Sequence, residues 1–483
     1  MSQVVVVGGG VAGLAVAIRA ARAGHRVDLI EATGKLGGLA PDRWLDGFRF
    51  DDGRCDLLLP AAIRDLFHST GRPLERELEL RVIDRPRRWY LPDGPPIDLP
   101  LIGRGAQLLA IADRLGQPAA RAWTAAADRL ADRWEVVRQI VETRPAPPGW
   151  RQLGWSDARR LGLGRSASSE AARLTIPSDP VAGRAEVLRD ALDWPLLRSG
   201  QDPRHAPAVL TVTTYLEREL GRWRPIGGPP ALVDALRRRL LLRGGTVHTD
   251  TRVRALLVTG SRVTGVVTPD GRLPADVVVT ALGPPALADL LDTTALPGPR
   301  RQARRLRTLR PASDPARTWL GVPAELAPDA YESVLPRRRP AEPTIAVRRT
   351  DDPTAAPDGE VTLTVETYGG SRGSSHYRGP GRDSAGDLLD LLADRGLDLR
   401  AAVRVRCDEP ARLWAAGPLI CGARTFGRLA PVAGTVDGLL VVGGSSYLPT
   451  GVAGAALSAA LAAAELGRVD RVGNRPGAPT TLA

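Results

Sequence analysis

The stretch Val4-Val5-Val6-Val7-Gly8-Gly9-Gly10-Val11-Ala12-Gly13 joins a strand to a helix through three spaced glycines. Four β-branched residues in an unbroken run read as a buried strand. An alanine-rich helical stretch follows to Ala23, and Gly24 closes it. Val27 to Ile30 reads as a second buried strand with Glu31 at its end. Strand, glycine turn, helix, second strand and an acid about 20 residues on make the pattern of dinucleotide binding. Gly8 permits the tight turn, Gly10 lets a pyrophosphate approach the backbone, and Gly13 lets the helix sit close to the strand. The N–H groups of the helix start at Val11 and Ala12 face the phosphates. Glu31 can accept hydrogen bonds from a ribose.

Two later segments extend this unit. In the first, Gly227-Gly228 precedes a helical stretch from Ala231 to Leu242. Strands are expected at Thr246 to His248, Val253 to Val258, Arg262 to Thr268 and Asp276 to Thr280. In the second, Leu439 to Val442 reads as a strand, Gly443-Gly444 as a turn, and a helix follows. Strands alternating with helices predict an α/β architecture with a parallel sheet. The expected nucleotide-binding domain is therefore discontinuous, comprising residues 1–60, 223–283 and 415–470. Residues 61–222 and 284–414 form an inserted mixed α+β substrate domain. Trp123, Leu130, Trp134, Val137 and Ile140 recur there at helical spacing. Pro92 to Pro100 and Pro145 to Pro148 read as connections, and residues 471–483 as a disordered tail.

The chain has 483 residues, 43% of them hydrophobic, enough for roughly two to three domains. Cys55, Cys407 and Cys421 are far apart and odd in number, which excludes a disulfide framework and a CxxC metal site. His25, His68, His205, His248 and His376 are scattered, so no metal is expected. The first residues run straight into a core strand without a basic flank or apolar signal core, so cytoplasmic residence is expected. Net charge is +12, and Lys35 is the sole lysine. Arginines cluster at Arg85 to Arg88, Arg300 to Arg310 and Arg337 to Arg339. The plain reading is a solvated basic surface. The sharper one is attraction to anionic lipid, hence peripheral membrane contact, or to an acidic carrier. No nucleic-acid-binding motif accompanies the charge, and nothing in the sequence fixes an oligomeric state.

Further motifs narrow the cofactor. They are Glu31-Ala32 followed by Lys35-Leu36-Gly37-Gly38, then Gly47-Phe48-Arg49-Phe50-Asp51-Asp52-Gly53, then Leu91-Pro92-Asp93-Gly94. Gly265-Val266-Val267 and Gly438-Leu439 to Gly444 complete them. With these the chain resembles the phytoene-desaturase-like flavoproteins of the amine-oxidase and GDP-dissociation-inhibitor superfamily. The resemblance implies a Rossmann-type domain holding FAD. It implies that Gly8, Gly10, Val11, Ala12, Gly13, Gly37 and Gly38 hold the pyrophosphate and that Glu31, with Ala32, meets the adenosine ribose. The backbone near Val253 meets the adenine, and Gly443, Gly444, Gly451 and Val452 cover the ribityl and flavin end. The chain departs from the family in three places. Leu39 stands where the family has arginine, with Arg43 as the candidate replacement. Arg54-Cys55-Asp56 replace a Pro-Thr pair. Ser445 to Gly451 replaces Thr-His-Pro-Gly.

A flavin takes hydride or electrons, while the protein supplies position and a proton acceptor. Candidates are Asp52, Asp56, Tyr447, Glu366 and Tyr368; the plain reading of Glu366 is a solvated strand position. Gly162-x-Gly164-x-x-Ala167 has no strand before it and reads as a loop, so no second nucleotide domain is expected. Oxygen, a quinone or transient NAD(P)H then exchanges electrons with the flavin.

These features lead to an FAD-dependent oxidoreductase acting on a long apolar polyene small molecule. The altered flavin-face motifs favour specialised metabolism: dehydrogenation or redox-linked cyclisation of a polyene polyketide of the tetramate macrolactam kind. The alternative is a carotenoid or phytoene-type desaturase. A different class is a non-catalytic lipid-binding escort of the GDP-dissociation-inhibitor type. An amine oxidase ranks lower, because aromatics are 4% of the chain.

Overall fold

The computed structural model describes residues 1–38, 42–51, 55–91, 94–143, 155–175, 184–313, 315–338, 342–368, 385–409, 413–418, 425, 428, 432–445 and 451–473. Two sheets organise them. The first has five parallel strands in the order Leu439–Val441, Val277–Thr280, Gln3–Val7, Arg26–Ile30, Thr246–His248. The three sequence segments thus meet in one sheet, with Gln3–Val7 at its centre.

The valine run is buried on both faces, as a parallel sheet requires. Val4, Val6, Leu29, Val279 and Leu440 belong to one apolar core, beneath the helices Val11–Arg22, Gly228–Leu242 and Gly451–Gly473. Val5, Val7, Ile30, Val278 and Leu439 belong to another. That second core is closed by the antiparallel sheet Ala255–Thr259, Arg262–Thr268, Gly271–Pro274 and by the helices Pro284–Asp292 and Pro297–Arg307.

The second sheet has seven strands. In spatial order they are Val405–Glu409, Ala316–Pro323, Glu360–Tyr368, Thr344–Thr350, Glu332–Leu335, Arg87–Trp89 and Ile97–Leu99. One face is aliphatic: Leu320, Val322, Ile345, Val347, Leu363 and Val365 pack with Leu388 and Leu392 of the helix Ala385–Asp394. The other face carries Arg317, Glu366, Tyr368, Arg348, Glu332, Arg87 and Trp89, by the alternation of the strands. The helices Arg104–Leu115, Gln117–Thr143 and Arg184–Arg198 cover part of it, with Trp123, Leu130 and Trp194 in their core. The hairpin Asp42–Leu45 and Phe48–Asp51 covers another part, with Phe50 stacked on Trp319 at 6.1 Å.

The expected domain limits shift at three points. Ile63, Leu66 and Phe67 of the helix Pro60–Thr70 pack in the first core, so the nucleotide-binding unit runs past residue 60. Leu287, Leu291, Ala303 and Leu306 pack under its sheet, so it also runs past residue 283. The helix Gly451–Gly473 includes residues 471–473 of the expected tail, and the remainder of that tail lies outside the described residues. Within the expected connection Pro92 to Pro100, Ile97–Leu99 forms a strand. Gly162 and Gly164 lie in a turn, as read. Among the described residues no helix is long and apolar enough to cross a membrane.

Candidate active site

The glycine turn builds an anion cradle. Gly8 adopts φ +107°, and its N–H donates to the Ile30 carbonyl oxygen at 2.8 Å. A Cβ at Gly13 would lie 1.9 Å from the Gly8 carbonyl oxygen, so only glycine lets helix and turn approach this closely. Gly10 is different. Its backbone is extended (φ −72°, ψ 175°), and a Cβ there meets only Gly38 Cα, at 3.8 Å. The protein's own packing therefore does not require glycine at 10; the space in front of the helix start does. The helix Val11–Arg22 has neither a capping side chain nor an acid in its first turn. Such a helix start, with its N–H groups and dipole unopposed, is suited to receive an anion. The Gly37 N–H donates to the Gly9 carbonyl oxygen at 2.9 Å, which brings the Gly37-Gly38 pair alongside Gly10.

Glu31 stands beside this cradle. Its Oε2 accepts from the Gly9 N–H (2.8 Å), and its Oε1 from the Thr33 N–H and hydroxyl (both 2.9 Å). The Glu31 N–H donates to the His248 carbonyl oxygen (2.8 Å), and the Thr251 N–H to that of Glu31 (2.9 Å). Ala32 follows, half-buried, and Val253 packs partly buried on the second core. From the third segment, Gly443 (φ +83°) comes so close to the helix start that a Cβ on it would lie 3.4 Å from Ala12 Cβ. Its N–H donates to Ser458 Oγ at 3.0 Å. Gly444 shares this short turn, and Val452 is buried in the first core one residue after Gly451. Three distant segments thus converge on one helix N-terminus.

A buried ionic network fills the seam between the two domains. Arg317 Nε donates to Glu366 Oε1 (2.9 Å); Arg348 Nη1 (3.1 Å) and Tyr368 Oη (2.8 Å) donate to Glu366 Oε2. Arg348 Nη2 and the Thr364 hydroxyl donate to the Asp51 carbonyl oxygen (3.3 and 2.9 Å), so the hairpin hangs on the polar sheet face. Asp56 accepts from Arg224 (3.0 and 3.2 Å) and from Tyr331 Oη (2.8 Å), with Arg198 Nη2 at 3.6 Å. Glu332 accepts from Arg87 Nε (2.6 Å) and Trp194 Nε1 (2.8 Å). Burial alone would raise these carboxylates. The facing guanidinium groups reverse this, holding Glu366 down at about 2 and Asp56 well below the usual carboxylate range. Burial pushes the Tyr331 phenol up to about 12.

Residues 11–375 match the family described as flavin containing amine oxidoreductase. The chain belongs to that family. It is 29% identical over 468 residues to a phytoene dehydrogenase of Streptomyces griseus, covering 91% of this chain and 90% of that protein. It is 27% identical over 288 residues to a neurosporene-forming phytoene desaturase of Rhodobacter capsulatus, covering 58% and 52%. Among solved structures, an oxidoreductase from Methanosarcina mazei aligns with TM-score 0.61 at 18% identity, covering 95% of this chain and 98% of that one. A cyclohexylamine oxidase from Brevibacterium oxydans aligns with TM-score 0.64 at 14% identity, covering 98% and 99%. These structures share the fold. The chain is a phytoene-desaturase-like, FAD-dependent oxidoreductase.

The cradle suits that cofactor: glycines line it, the helix start carries no acid, and Glu31 lies at its edge. When bound, FAD supplies the acceptor for hydride or electrons. The sequence-derived catalytic candidates fare unequally. Leu39, Asp52 and Tyr447 lie outside the described residues. Glu366 is not a solvated strand position but 2% exposed. Two arginines hold it as an anion of very low basicity, which makes it a poor proton acceptor. Arg43 is exposed with its guanidinium 5.7 Å from the centre of the Trp319 ring. That places it on the substrate-domain sheet and gives no support to a phosphate contact. Sequence reading missed Arg198, Arg348, Tyr331 and Glu332. The available signal was charge in short strands: Arg348 after Ile345-Ala346-Val347, and Glu332 at the head of Glu332–Leu335.

Proposed function

We propose that this protein dehydrogenates a carotenoid-type polyene: bound FAD would supply the acceptor for a hydride from an allylic carbon, and the proton from the neighbouring carbon would pass to water. The observation that carries the reading is the similarity to phytoene dehydrogenase along nine-tenths of both chains. The comparisons favour this alternative over polyketide or macrolactam chemistry, and the escort reading gains no support from them. In this assignment Gly8, Gly10, Val11, Ala12, Gly13, Gly37 and Gly38 hold the pyrophosphate and Glu31 the ribose. Val253 flanks the adenine, and Gly443, Gly444, Gly451 and Val452 lie toward the flavin. Dehydrogenation leaves the flavin reduced, so turnover needs an oxidant from outside the protein, namely oxygen, a quinone or NAD(P)+. The test is to mix FAD-loaded protein with phytoene anaerobically. Bleaching of the oxidised flavin band, with a more unsaturated product, is expected; an unchanged spectrum overturns the reading.

Peripheral membrane contact forms part of the same reading, through the helix Pro297–Arg307. Its apolar side, including Ala303 and Leu306, is buried, while Arg300, Arg301 and Arg304 are exposed. The run at Arg85 to Arg88 behaves differently: Arg85, Arg87 and Arg88 are all held in ion pairs. Reversing Arg300, Arg301 and Arg304 to glutamate is expected to abolish cosedimentation with vesicles rich in phosphatidylglycerol. Equal sedimentation of the variant removes the assignment.

A further inference from the structure

The substrate domain grips the nucleotide-binding domain along the stretch Arg49 to Asp56. Asp352 Oδ2, just past the strand Thr344–Thr350, accepts from Arg49 Nη2 (2.5 Å) and from the Gly227 N–H (2.9 Å). The Thr364 hydroxyl and Arg348 hold the Asp51 carbonyl oxygen. Asp56 Oδ2 accepts from Tyr331 Oη (2.8 Å), and Arg198 Nη1 donates to that same phenol oxygen (2.9 Å). A guanidinium has no acceptor, so the directions are fixed: Arg198 donates to Tyr331, and Tyr331 donates to Asp56. Asp352, Thr364, Arg348, Tyr331 and Arg198 all belong to the substrate domain.

Buried ionic clasps add little net stability over apolar packing, but their directional bonds can fix a single register. The register held here concerns the flavin end of the cradle. Cys55, next to Asp56, and Leu57 are buried in the core that also contains Ala12 at the helix start and Val452. The Leu57 N–H donates to the Trp223 carbonyl oxygen (2.7 Å), and the Trp223 N–H to that of Leu57 (2.9 Å). Asp56 also keeps Arg224 of its own domain as a partner. Cutting the Tyr331 bond therefore releases the substrate domain's grip without leaving the carboxylate bare. Set among Arg224, Arg198 and Tyr331, Asp56 is suited to holding a position and not to taking a proton. Resting on the flavin assignment above, we infer that Tyr331 is a positioning residue for hydride transfer: through Asp56 it seats the substrate domain against the flavin end of the cradle.

The experiment compares FAD-loaded wild-type protein with Tyr331→Phe in two measurements. One is the visible circular dichroism of the bound flavin without substrate, the other anaerobic flavin reduction by phytoene. Expected for Tyr331→Phe are an altered flavin signal and a limiting rate about tenfold to a hundredfold lower, at an unchanged half-saturating phytoene concentration, as for reactants bound but misplaced. Thr364→Val, which unties the Asp51 carbonyl oxygen, should move both measurements the same way, so a folding failure at one site leaves the other to decide. Trp123→Phe removes a buried hydrogen bond to Gln107 (3.0 Å) in the helical core and should leave both as in the wild type. Wild-type values in Tyr331→Phe and Thr364→Val, or an equal change in Trp123→Phe, mean that the clasps serve stability alone and overturn the inference. If phytoene fails to bleach even the wild-type flavin, the dehydrogenation reading falls, and the circular dichroism alone decides the positioning role.

Discussion

In a Gly10→Ala variant the added methyl stands 3.8 Å from Gly38 Cα and meets nothing else within 4 Å. The backbone there, φ −72° and ψ 175°, is one that alanine adopts without strain. The protein without cofactor should therefore melt at the wild-type temperature. The methyl fills the space in front of the N–H groups that begin the helix Val11–Arg22. Hydrogen bonds to a charged group contribute about 1.5–3 kcal/mol each. Losing two of them weakens FAD binding by about 3–6 kcal/mol, roughly a hundredfold to ten-thousandfold in Kd. The assay is titration of stripped protein with FAD, followed by quenching of flavin fluorescence, beside a melting curve of the same stripped protein. Gly13→Ala supplies the contrast. Its Cβ would sit 1.9 Å from the Gly8 carbonyl oxygen, so stability and affinity fall together. An unchanged Kd in Gly10→Ala, or a melting temperature that drops as far as in Gly13→Ala, refutes the cradle argument.

Other outcomes follow from the buried charges. Glu366→Gln removes the buried carboxylate that Arg317 and Arg348 both face and should cost about 3–5 kcal/mol in urea unfolding. Because the folded Glu366 is held at about 2, its stabilisation is complete above the ordinary glutamate range and is lost as pH falls toward 2. The wild-type advantage over Glu366→Gln should therefore shrink across that acid window, as melting at several pH values would show. Asp193 has the opposite sign: burial, then Asp190, pushes it up to about 7, and its Oδ1 is buried without a partner. Stability is lost as pH rises through that value, so Asp193→Asn should raise the melting temperature at pH 8 and leave it unchanged at pH 4. Tyr331→Phe removes the donor to Asp56 Oδ2 and should cost about 1.5–3 kcal/mol; an unchanged urea midpoint would show that Arg224 and Arg198 suffice.

What the sequence revealed was what neighbours in the chain determine. The strands Thr246–His248 and Arg262–Thr268 lie where β-branched runs and glycines put them, and the cradle follows from the spacing of Gly8, Gly10 and Gly13. The seam was hidden because its partners are remote: Asp56 meets Arg224 and Tyr331, and Arg49 meets Asp352. Arg87 read as part of a basic surface run, yet it is buried between Glu217 and Glu332. Glu366 read as solvated, because nothing in its own strand shows that Arg317 and Arg348 flank it on adjacent strands. The domain limits erred for the same reason. Whether a helix such as Pro60–Thr70 belongs to one core or another depends on which surface it meets, not on its own composition.

The central strand Gln3–Val7 pairs with Val277–Thr280, and that strand in turn with Leu439–Val441. On the ribosome the first glycine turn therefore emerges long before the strands that complete its sheet. The early βαβ unit must wait with both of its edges unpaired while the first substrate-domain segment is made. Synthesis thus exposes a sticky valine-rich edge for most of its duration. Chaperone supply during translation, more than the stability of the finished molecule, should then govern the yield of this protein in a foreign host.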